Sequence, residues 1–140
     1  MLVGLFCLTS IALAGPKKTI KFEKLPYVAK TLIAEHFNEY EVLVVKQEKH
    51  GFSYSYDVLF ADGTKLEFDR QGELVGVESE KAGVPYQLIP RKIRNYVSRK
   101  FPNDVFVLEY ERDKKGYEIK LSNDLEIKFD KQFQVYEIDD

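Results

Sequence analysis

Few side chains in this sequence have the types and spacing that catalysis or metal binding requires. The chain contains two histidines, His36 and His50, and one cysteine, Cys7. A structural zinc site usually has four nitrogen or sulfur ligands, so this set predicts neither a metal centre nor a thiol-based site. Asp69 and Asp130 each follow a phenylalanine, but an aspartate that opens a turn accepts hydrogen bonds from the backbone that follows it. We therefore expect turns at these two positions rather than an acid–base pair.

The sequence also lacks the motifs that mark common enzyme classes. It contains no glycine-rich phosphate loop between a strand and a helix, no Gly-x-Ser-x-Gly motif and no recognisable Ser/His/Asp set. These observations predict a protein that is not an enzyme and holds no cofactor. The 21 basic and 23 acidic residues give a net charge of -2, which argues against nucleic acid as a partner. Hydrophobic residues at 44% predict a folded domain rather than a disordered chain.

Residues 1–14 carry no charge and are mostly apolar, and they end in Ala12-Leu13-Ala14. Small residues in this alternation are typical of a signal-peptidase cleavage site. We expect residues 1–14 to be a signal peptide, so that the mature chain lacks cysteine and is periplasmic or secreted. A buried N-terminal helix is one alternative, and a lipoprotein anchored through Cys7 is another, although the bulky Phe6 precedes that cysteine. After cleavage, no integral membrane span is expected.

Two parts of the sequence resemble each other. Matching residues recur in the same order and with similar spacing. The corresponding pairs are Leu25-Pro26 and Ile89-Pro90, Phe37 and Phe101, Tyr56 and Tyr117, and Phe68-Asp69 and Phe129-Asp130. Self-similarity of this kind predicts two copies of one unit. We expect one domain made of repeats at residues 25–78 and 85–138, with an N-terminal linker at 15–24 and a second linker at 79–84.

Each predicted repeat starts with a helix and continues with short strands. Apolar residues first recur with the period of a helix, and the period then changes to two. The helical positions are Val28, Leu32, Ile33 and Phe37, and then Ile89, Ile93, Tyr96, Val97 and Phe101. The predicted strands are residues 41–48, 54–60, 65–69 and 74–77, and then 105–111, 117–121, 125–130 and 135–138. This pattern predicts an α+β fold of two tandem helix-plus-four-strand antiparallel repeats, with the helices on one side of the sheet.

The turns of the two predicted repeats use different residues. Asp62-Gly63 is a strong hairpin signal, whereas Asn123-Asp124 stands at the matching place in the second repeat. Phe133 likewise replaces Gly72. We therefore expect the second repeat to have less regular hairpins.

Alternation along the strands separates a helix-covered side from an open side. The residues predicted to face the helices are Tyr54, Tyr56, Val58, Phe60, Leu66 and Phe68, and Tyr117, Ile119, Leu121, Leu125, Ile127 and Phe129. The open side carries charges around an apolar spot, which is typical of a protein-binding face. We predict that this face includes Leu43, Val45, Asp57, Leu59, Lys65, Glu67, Val107, Glu118, Lys120 and Lys128. A solvated sheet with cross-strand ion pairs is the alternative interpretation.

The residues of the repeats resemble those of a known family. The pattern includes Tyr56-Asp57-Val58, Asp62-Gly63, Phe68-Asp69 and Gly72-Glu73, followed by Val84-Pro85, Ile93, Tyr96-Val97, Phe101-Pro102 and Gly116-Tyr117-Glu118-Ile119. This pattern is similar to that of the PepSY-like family of β-lactamase-inhibitor-like proteins that Bacteroidota export. The resemblance implies a fold like that of β-lactamase inhibitor protein, in which helices lie behind a curved antiparallel sheet whose concave face can hold a protein partner.

The resemblance implies no catalytic residues, and it implies a role like that of PepSY domains more broadly, which restrain or modulate exported proteases. We expect a non-catalytic periplasmic protein that docks on, inhibits or modulates another exported protein, such as a protease, through the open side of its sheet. The alternative is a domain that senses a small ligand or a cation through carboxylates at Asp57, Glu67, Asp69, Glu118 and Asp130.

Overall fold

The computed structural model describes residues 16–101 and 104–140. These residues form two α-helices, α1 (Tyr27–His36) and α2 (Arg91–Lys100), and two short 3-10 helices, Phe22–Lys24 and Tyr86–Leu88. The strands are β1 (Lys17–Ile20), β2 (Val42–His50), β3 (Ser53–Phe60), β4 (Lys65–Phe68), β5 (Leu74–Glu78), β6 (Val107–Arg112), β7 (Gly116–Leu121), β8 (Glu126–Asp130) and β9 (Val135–Asp139). The signal peptide predicted for residues 1–14 lies outside the described residues. None of the helices in the described ranges is long and apolar enough to cross a membrane.

Strands that follow one another in the chain pair within each of the two units described below. Pairing is antiparallel from β1 to β4 and from β6 to β9. This confirms the predicted α+β class with an antiparallel sheet. The chain divides into two compact units after Val77. We call residues 16–77 the N-terminal unit and the described residues from 78 to 140 the C-terminal unit.

Strand β1 lies in the segment that was predicted to be a linker. Lys17 pairs with Glu48 and Ile20 pairs with Val45, in antiparallel register along β2. The prediction missed this strand because Lys17, Lys18 and Thr19 are exposed and show no alternation of apolar and polar residues. Lysine-rich, exposed residues are typical of edge strands, where charge blocks further strand pairing.

Helix α1 packs on the N-terminal unit's strands through a narrow apolar stripe. It starts directly after Pro26 and buries Ala29 and Ile33. Beyond its last turn, the Phe37 ring stacks on the ring of Phe60, with centroids 5.4 Å apart. The proline suits a helix start because its missing N–H has no intrahelical partner at that position.

Helix α2 is the corresponding element of the C-terminal unit. It starts after Pro90 and buries Ile93 and Val97. The ring of Tyr96 meets the ring of Phe129 edge to face, with centroids 5.4 Å apart. Most of its remaining side chains are basic and lie toward water, as expected for a helix that covers one side of a sheet.

The predicted strands and their inward-facing residues agree with the structure. The strand ends differ from the predicted ends by no more than two residues. Fully buried residues on the helix-facing side include Val58, Phe60, Leu66, Phe68, Ile119, Leu121, Ile127 and Phe129. Strict alternation succeeded here because a one-residue slip in register would turn these side chains to water.

The hairpin turns of the C-terminal unit have the same left-handed backbone conformation as the glycine-containing turns of the N-terminal unit. Asp124 (φ 71) and Phe133 (φ 64) have the left-handed backbone seen at Gly63 (φ 93) and Gly72 (φ 88). The expectation of less regular hairpins is therefore wrong in this respect. A bulky residue with positive φ is strained. The Phe133 ring stacks on the ring of Tyr117 at 4.7 Å, which offsets part of that strain.

The recurring aspartates open turns, as predicted. Asp69 Oδ1 accepts hydrogen bonds from the backbone N–H of Gln71 at 3.0 Å and of Glu73 at 2.9 Å. Asp130 Oδ1 accepts the same kind of bond from Gln132 and Gln134, both at 2.9 Å. These carboxylates are thus used to hold turns closed.

Candidate functional site

A β-bulge near the start of β2 decides which residues reach the open side of the N-terminal unit. Val42 pairs with Phe60, but the next pair is Val44 with Leu59, so Leu43 is the extra residue. After the bulge Val45 pairs with the buried Val58 and is itself buried on the helix-facing side. The prediction that Val45 belongs to the open side is wrong, because one extra residue inverts the alternation. Val44, rather than Val45, lies on the open side beside Leu59.

The same irregularity occurs at the start of β6. Val107 pairs with the buried Leu121, and the next pair is Glu109 with Lys120. Val107 is buried on the helix-facing side, so its assignment to the partner-binding face is also wrong. The residue that reaches the open side at the first pair after the bulge is Glu109.

Two rows of side chains form what we call the N-terminal open face. Cross-strand register places Val44 beside Leu59 and Leu59 beside Lys65, and in the next row it places Lys46, Asp57 and Glu67 side by side. The N-terminal open face comprises Val44, Lys46, Asp57, Leu59, Lys65 and Glu67. A cavity of about 210 Å³ opens on it, lined by five of these residues together with Lys17. Its floor is the Val44–Leu59 pair, and charged groups surround that floor.

An ion-pair network borders the N-terminal open face. Lys17 Nζ lies 3.2 Å from Glu48 Oε1 and 3.5 Å from Asp57 Oδ2. The other oxygen of Glu48 lies 3.1 Å from His50 Nε2, which is also 2.9 Å from the hydroxyl of Ser55. Glu48 is only 3% exposed, so its charge depends on these partners. Strand β1 therefore brings a lysine to a pair of carboxylates that would otherwise repel each other.

Two residues on or beside the N-terminal open face, Glu67 and Lys17, have shifted pKa values. Burial, followed by the charge of Asp57, raises the pKa of Glu67 to about 7. Burial lowers the pKa of Lys17, but its hydrogen bond to Glu48 and the charge of Asp57 outweigh that effect, so the pKa of Lys17 is raised overall. Near neutral pH, Lys17 is therefore charged, and Glu67 is present in both its protonated and its ionised form.

The open side of the C-terminal unit holds ion pairs where the N-terminal unit holds an apolar floor. Lys120 Nζ lies 3.5 Å from Glu109 Oε2 and 3.8 Å from Glu80 Oε1. Glu109 is 6% exposed, and burial raises its pKa to about 7, although the charge of Lys120 lowers it. In the next row, Lys128 Nζ lies 3.4 Å from Glu137 Oε2. Burial also raises the pKa of Glu118, the cross-strand neighbour of Lys128.

The predicted partner-binding residues fall into separate groups. Asp57, Leu59, Lys65 and Glu67 lie together on the N-terminal open face. Glu118, Lys120 and Lys128 lie together on the open side of the C-terminal unit. Leu43 is 59% exposed at the bulge.

Sequence reasoning missed four residues on or beside the N-terminal open face, namely Lys17, Val44, Lys46 and Glu48. Lys17 falls in the predicted linker, and Val44 and Lys46 follow the unrecognised bulge. Glu48 is the cross-strand partner of Lys17, so its role could only be seen once β1 was known. The one signal available was the lysine-rich composition of Lys17-Lys18, which is typical of an edge strand.

The arrangement pairs charged side chains with one another. Among the described residues, no group of three or more His, Cys, Asp or Glu side chains is placed to hold a metal ion. Glu48 and Asp57 already bind Lys17, and Glu109 binds Lys120. An α+β protein with paired charges and a small apolar floor on an antiparallel sheet is the class that this fold and surface define.

Comparison with known proteins identifies the family. The family model described as "Putative beta-lactamase-inhibitor-like, PepSY-like" matches residues 54–137. This chain belongs to the PepSY-like family. No match was found among curated proteins.

Solved structures from Bacteroides are similar over most of the chain. A Bacteroides vulgatus protein described as "a putative periplasmic protein" of the DUF2874 family is 44% identical, with a TM-score of 0.86 over 89% of this chain and 97% of that one. A Bacteroides thetaiotaomicron protein described as "a putative calcium-regulated periplasmic protein" is 40% identical, with a TM-score of 0.84 over 89% and 97%. Another Bacteroides vulgatus protein, "of unknown function", is 35% identical, with a TM-score of 0.81 over 89% and 100%. This chain is thus a periplasmic or secreted protein, as predicted.

Proposed function

We propose that this protein is a non-catalytic periplasmic binding protein that docks on another exported protein through the N-terminal open face. The observation that carries the proposal is the cavity of about 210 Å³ whose floor is Val44 and Leu59. An apolar centre that fits a partner side chain, surrounded by charged groups, is the common anatomy of protein interfaces. The charges provide specificity and speed of association, and the floor provides the buried contact.

The chemistry of the face sets what the partner presents. Lys46 lies two residues after Val44 on β2, and Lys65 pairs with Leu59. The partner therefore carries an aliphatic or aromatic side chain flanked by carboxylates. The description of the family as β-lactamase-inhibitor-like supports docking that inhibits or modulates an exported enzyme, such as a protease. The protein itself is not an enzyme in this proposal.

The test is a charge swap on the face. The tagged protein, processed and purified after export, is used to capture partners from the envelope of the cell that makes it. A partner recovered by the wild type is then purified, and its affinity is measured for the wild type and for the Lys65→Glu/Glu67→Lys variant. We expect the affinity to fall by at least about tenfold, with little change in melting temperature.

The matched control swaps two charges that are not part of the face. Glu23 and Lys24 are exposed neighbours in the first 3-10 helix, and Glu23→Lys/Lys24→Glu leaves the net charge unchanged. The control variant keeps wild-type affinity if the proposal is right. Equal loss in both variants, or none in the Lys65/Glu67 variant, contradicts docking on this face.

We also propose that residues 25–78 and 85–138 are two copies of one unit, joined by residues 79–84. Each range holds a ten-residue helix after a proline, followed by four strands. Each first strand carries a bulge before its first open-side pair. The turns support the same proposal. Asp124 and Phe133 have the left-handed backbone of Gly63 and Gly72 at the matching turns, although residues other than glycine disfavour that backbone.

A second candidate function is cation sensing, which the description of one relative as calcium-regulated favours. Asp57 and Glu67 are cross-strand neighbours, and calcium binds carboxylate oxygens. Because Lys17 holds Asp57, calcium would have to displace that lysine. A rise in melting temperature with calcium that Asp57→Asn abolishes supports sensing at this place. An unchanged melting temperature contradicts it.

A further inference from the structure

A groove in the C-terminal unit lies away from the open side of the sheet. It has a volume of about 200 Å³ and is bounded by α2, the 3-10 helix Tyr86–Leu88 and the start of β6. Its walls are mainly apolar, and the half-exposed Phe106 and Tyr86 stand among them. The apolar lining consists of Val84, Tyr86, Ile89, Val97, Phe101, Val105, Phe106 and Val107.

One guanidinium group stands among these apolar walls. Arg94 lines the groove, and its guanidinium carbon lies 4.7 Å from the centre of the Tyr86 ring. Its Nε atom is buried and has no hydrogen-bond partner among the described residues. A buried donor without a partner is costly, so an acceptor arriving in the groove is stabilised there.

The charge around the groove also favours an anion. Helix α2 has the sequence RKIRNYVSRK, with five basic residues and no acidic one. The guanidinium of Arg94 lies over the Tyr86 ring, and this contact restricts its orientation. A planar guanidinium binds a carboxylate through two parallel hydrogen bonds, and less entropy is lost when its orientation is already fixed.

The size of the groove limits the apolar part of the ligand. A cavity of about 150 Å³ in another protein holds one benzene molecule. The groove, at about 200 Å³, therefore has room for a six-membered ring and a short arm ending in a carboxylate. It is smaller than the pockets of about 300–1,000 Å³ that hold drug-sized molecules.

We propose that this groove binds a small carboxylic acid with a ring-sized apolar group, its carboxylate on Arg94 and its ring against Val97, Phe101 and Phe106. This site is independent of the docking face proposed above, since the two share no residue. It adds a small-molecule ligand to a protein whose other surface is proposed to hold a protein.

A free acid suits the groove better than the end of a peptide. The backbone N–H of Phe106 already donates to Ser122 Oγ at 3.1 Å, and its carbonyl accepts from the Ser122 N–H at 2.8 Å. The hydroxyl of Ser98 donates to carbonyls of its own helix, at 3.1 and 3.3 Å. Peptide main-chain groups would need such partners, and these are engaged.

The experiment titrates 3-phenylpropionate into the isotope-labelled, processed protein and follows backbone amide signals by NMR. A ligand of this size is expected to bind with a Kd of about 1 mM, so the titration extends to about 10 mM. We expect saturable shifts confined to residues around the groove. The neutral 3-phenylpropionamide should bind at least about tenfold more weakly, because it cannot form the charged pair with Arg94.

Variants of α2 test the role assigned to Arg94. Arg94→Gln should weaken binding of 3-phenylpropionate by about tenfold or more, whereas Arg99→Gln, which removes the same charge from the same helix outside the groove lining, should leave the Kd within about twofold. If Arg94→Gln is unfolded by circular dichroism, Arg94→Lys replaces it. That variant keeps the charge but loses the planar donor pair, so it should also bind more weakly than the wild type.

Several results would overturn the proposal. They are the absence of saturable shifts, equal binding of the amide and the acid, and equal loss in the Arg94 and Arg99 variants. Tighter binding of the peptide Gly-Gly-Phe with a free carboxyl end than of 3-phenylpropionate would also overturn it, because the occupant would then be a chain end.

Discussion

The first strand pair after the bulge is apolar in one unit and charged in the other. In the N-terminal unit this pair is Val44 and Leu59, beside Lys65. In the C-terminal unit it is Glu109 and Lys120, whose charged atoms lie 3.5 Å apart. The backbone places both pairs in the same way, on the open side and directly after an extra residue.

This difference between the two strand pairs shows which unit has an apolar cavity on its open side. Lys120 neutralises Glu109 within the C-terminal unit, so this part of its open side has its electrostatic partner already. Val44 and Leu59 instead line a cavity that a side chain from outside can fill. The two units thus differ at this place: the C-terminal unit has an internal ion pair, and the N-terminal unit has an open apolar cavity.

If the units differ at their open sides and agree in their cores, equivalent core substitutions should have equally large effects. Phe68 and Phe129 occupy matching places and are essentially fully buried. We expect Phe68→Ala and Phe129→Ala each to lower the free energy of unfolding by about 3–5 kcal/mol, from lost burial and the cavity left behind. Urea unfolding followed by circular dichroism measures the change. A small effect for one variant would show that the two cores differ as well.

Replacing Lys120 of the charged pair should lower the free energy of unfolding by nearly as much. Lys120→Met leaves Glu109 buried without its cation, and we expect a loss of about 3 kcal/mol at pH 8. The loss should shrink below pH 6, because Glu109, whose pKa is about 7 in the intact pair, then takes up a proton. Adding Glu109→Gln to the variant should recover most of the stability. A loss that is independent of pH would instead indicate that Lys120 acts through packing.

The pH dependence of stability should show that Glu67, on the N-terminal open face, differs from an ordinary surface carboxylate. The pKa of Glu67 is raised from 4.5 to about 7, so the folded protein holds a proton that the unfolded chain has released in this range. Its contribution is therefore complete below pH 4.5 and is lost as pH rises through about 7.

The variant that tests this is Glu67→Gln. We expect it to be more stable than the wild type at pH 8 by about 1 kcal/mol, since one unit of pKa corresponds to about 1.4 kcal/mol and solvent screens a partly exposed group. At pH 4 the two proteins should unfold at similar temperatures. Thermal unfolding across this range provides the measurement, and parallel curves for the two proteins would contradict the assigned pKa.

Much of the fold follows from local patterns in the sequence. Helix starts were marked by Pro26 and Pro90, and strict alternation placed residues such as Val58 and Ile119 in the core. These predictions succeeded because each rests on a few consecutive residues. The hairpin turns are an exception, because the change from Gly72 to Phe133 predicts a difference that the backbone does not show.

The open side was harder to predict because it depends on register between distant strands. A bulge adds one residue without a clear mark in the sequence, and this was enough to put Val45 and Val107 on the wrong side. The network around Glu48 depends on Lys17, which lies far away in the chain and in a strand without an apolar pattern. Pairwise electrostatics of this kind become visible only in three dimensions.

Exchanging the pair between units tests whether the floor, rather than the backbone, creates the docking surface. Val44→Glu/Leu59→Lys gives the N-terminal unit the pair found at Glu109 and Lys120. We expect the free energy of unfolding to change by less than about 1 kcal/mol, since both positions are partly exposed and the new charges compensate each other.

The exchanged variant should nevertheless lose the captured partner, because the apolar contact that fills the cavity is gone and charges must be dehydrated in its place. Affinity for the purified partner and unfolding in urea are measured on the same preparation. Retained affinity would move the contact away from Val44 and Leu59. A large loss of stability would instead show that the surroundings of the floor cannot hold an ion pair, and that the two units differ by more than their side chains at this place.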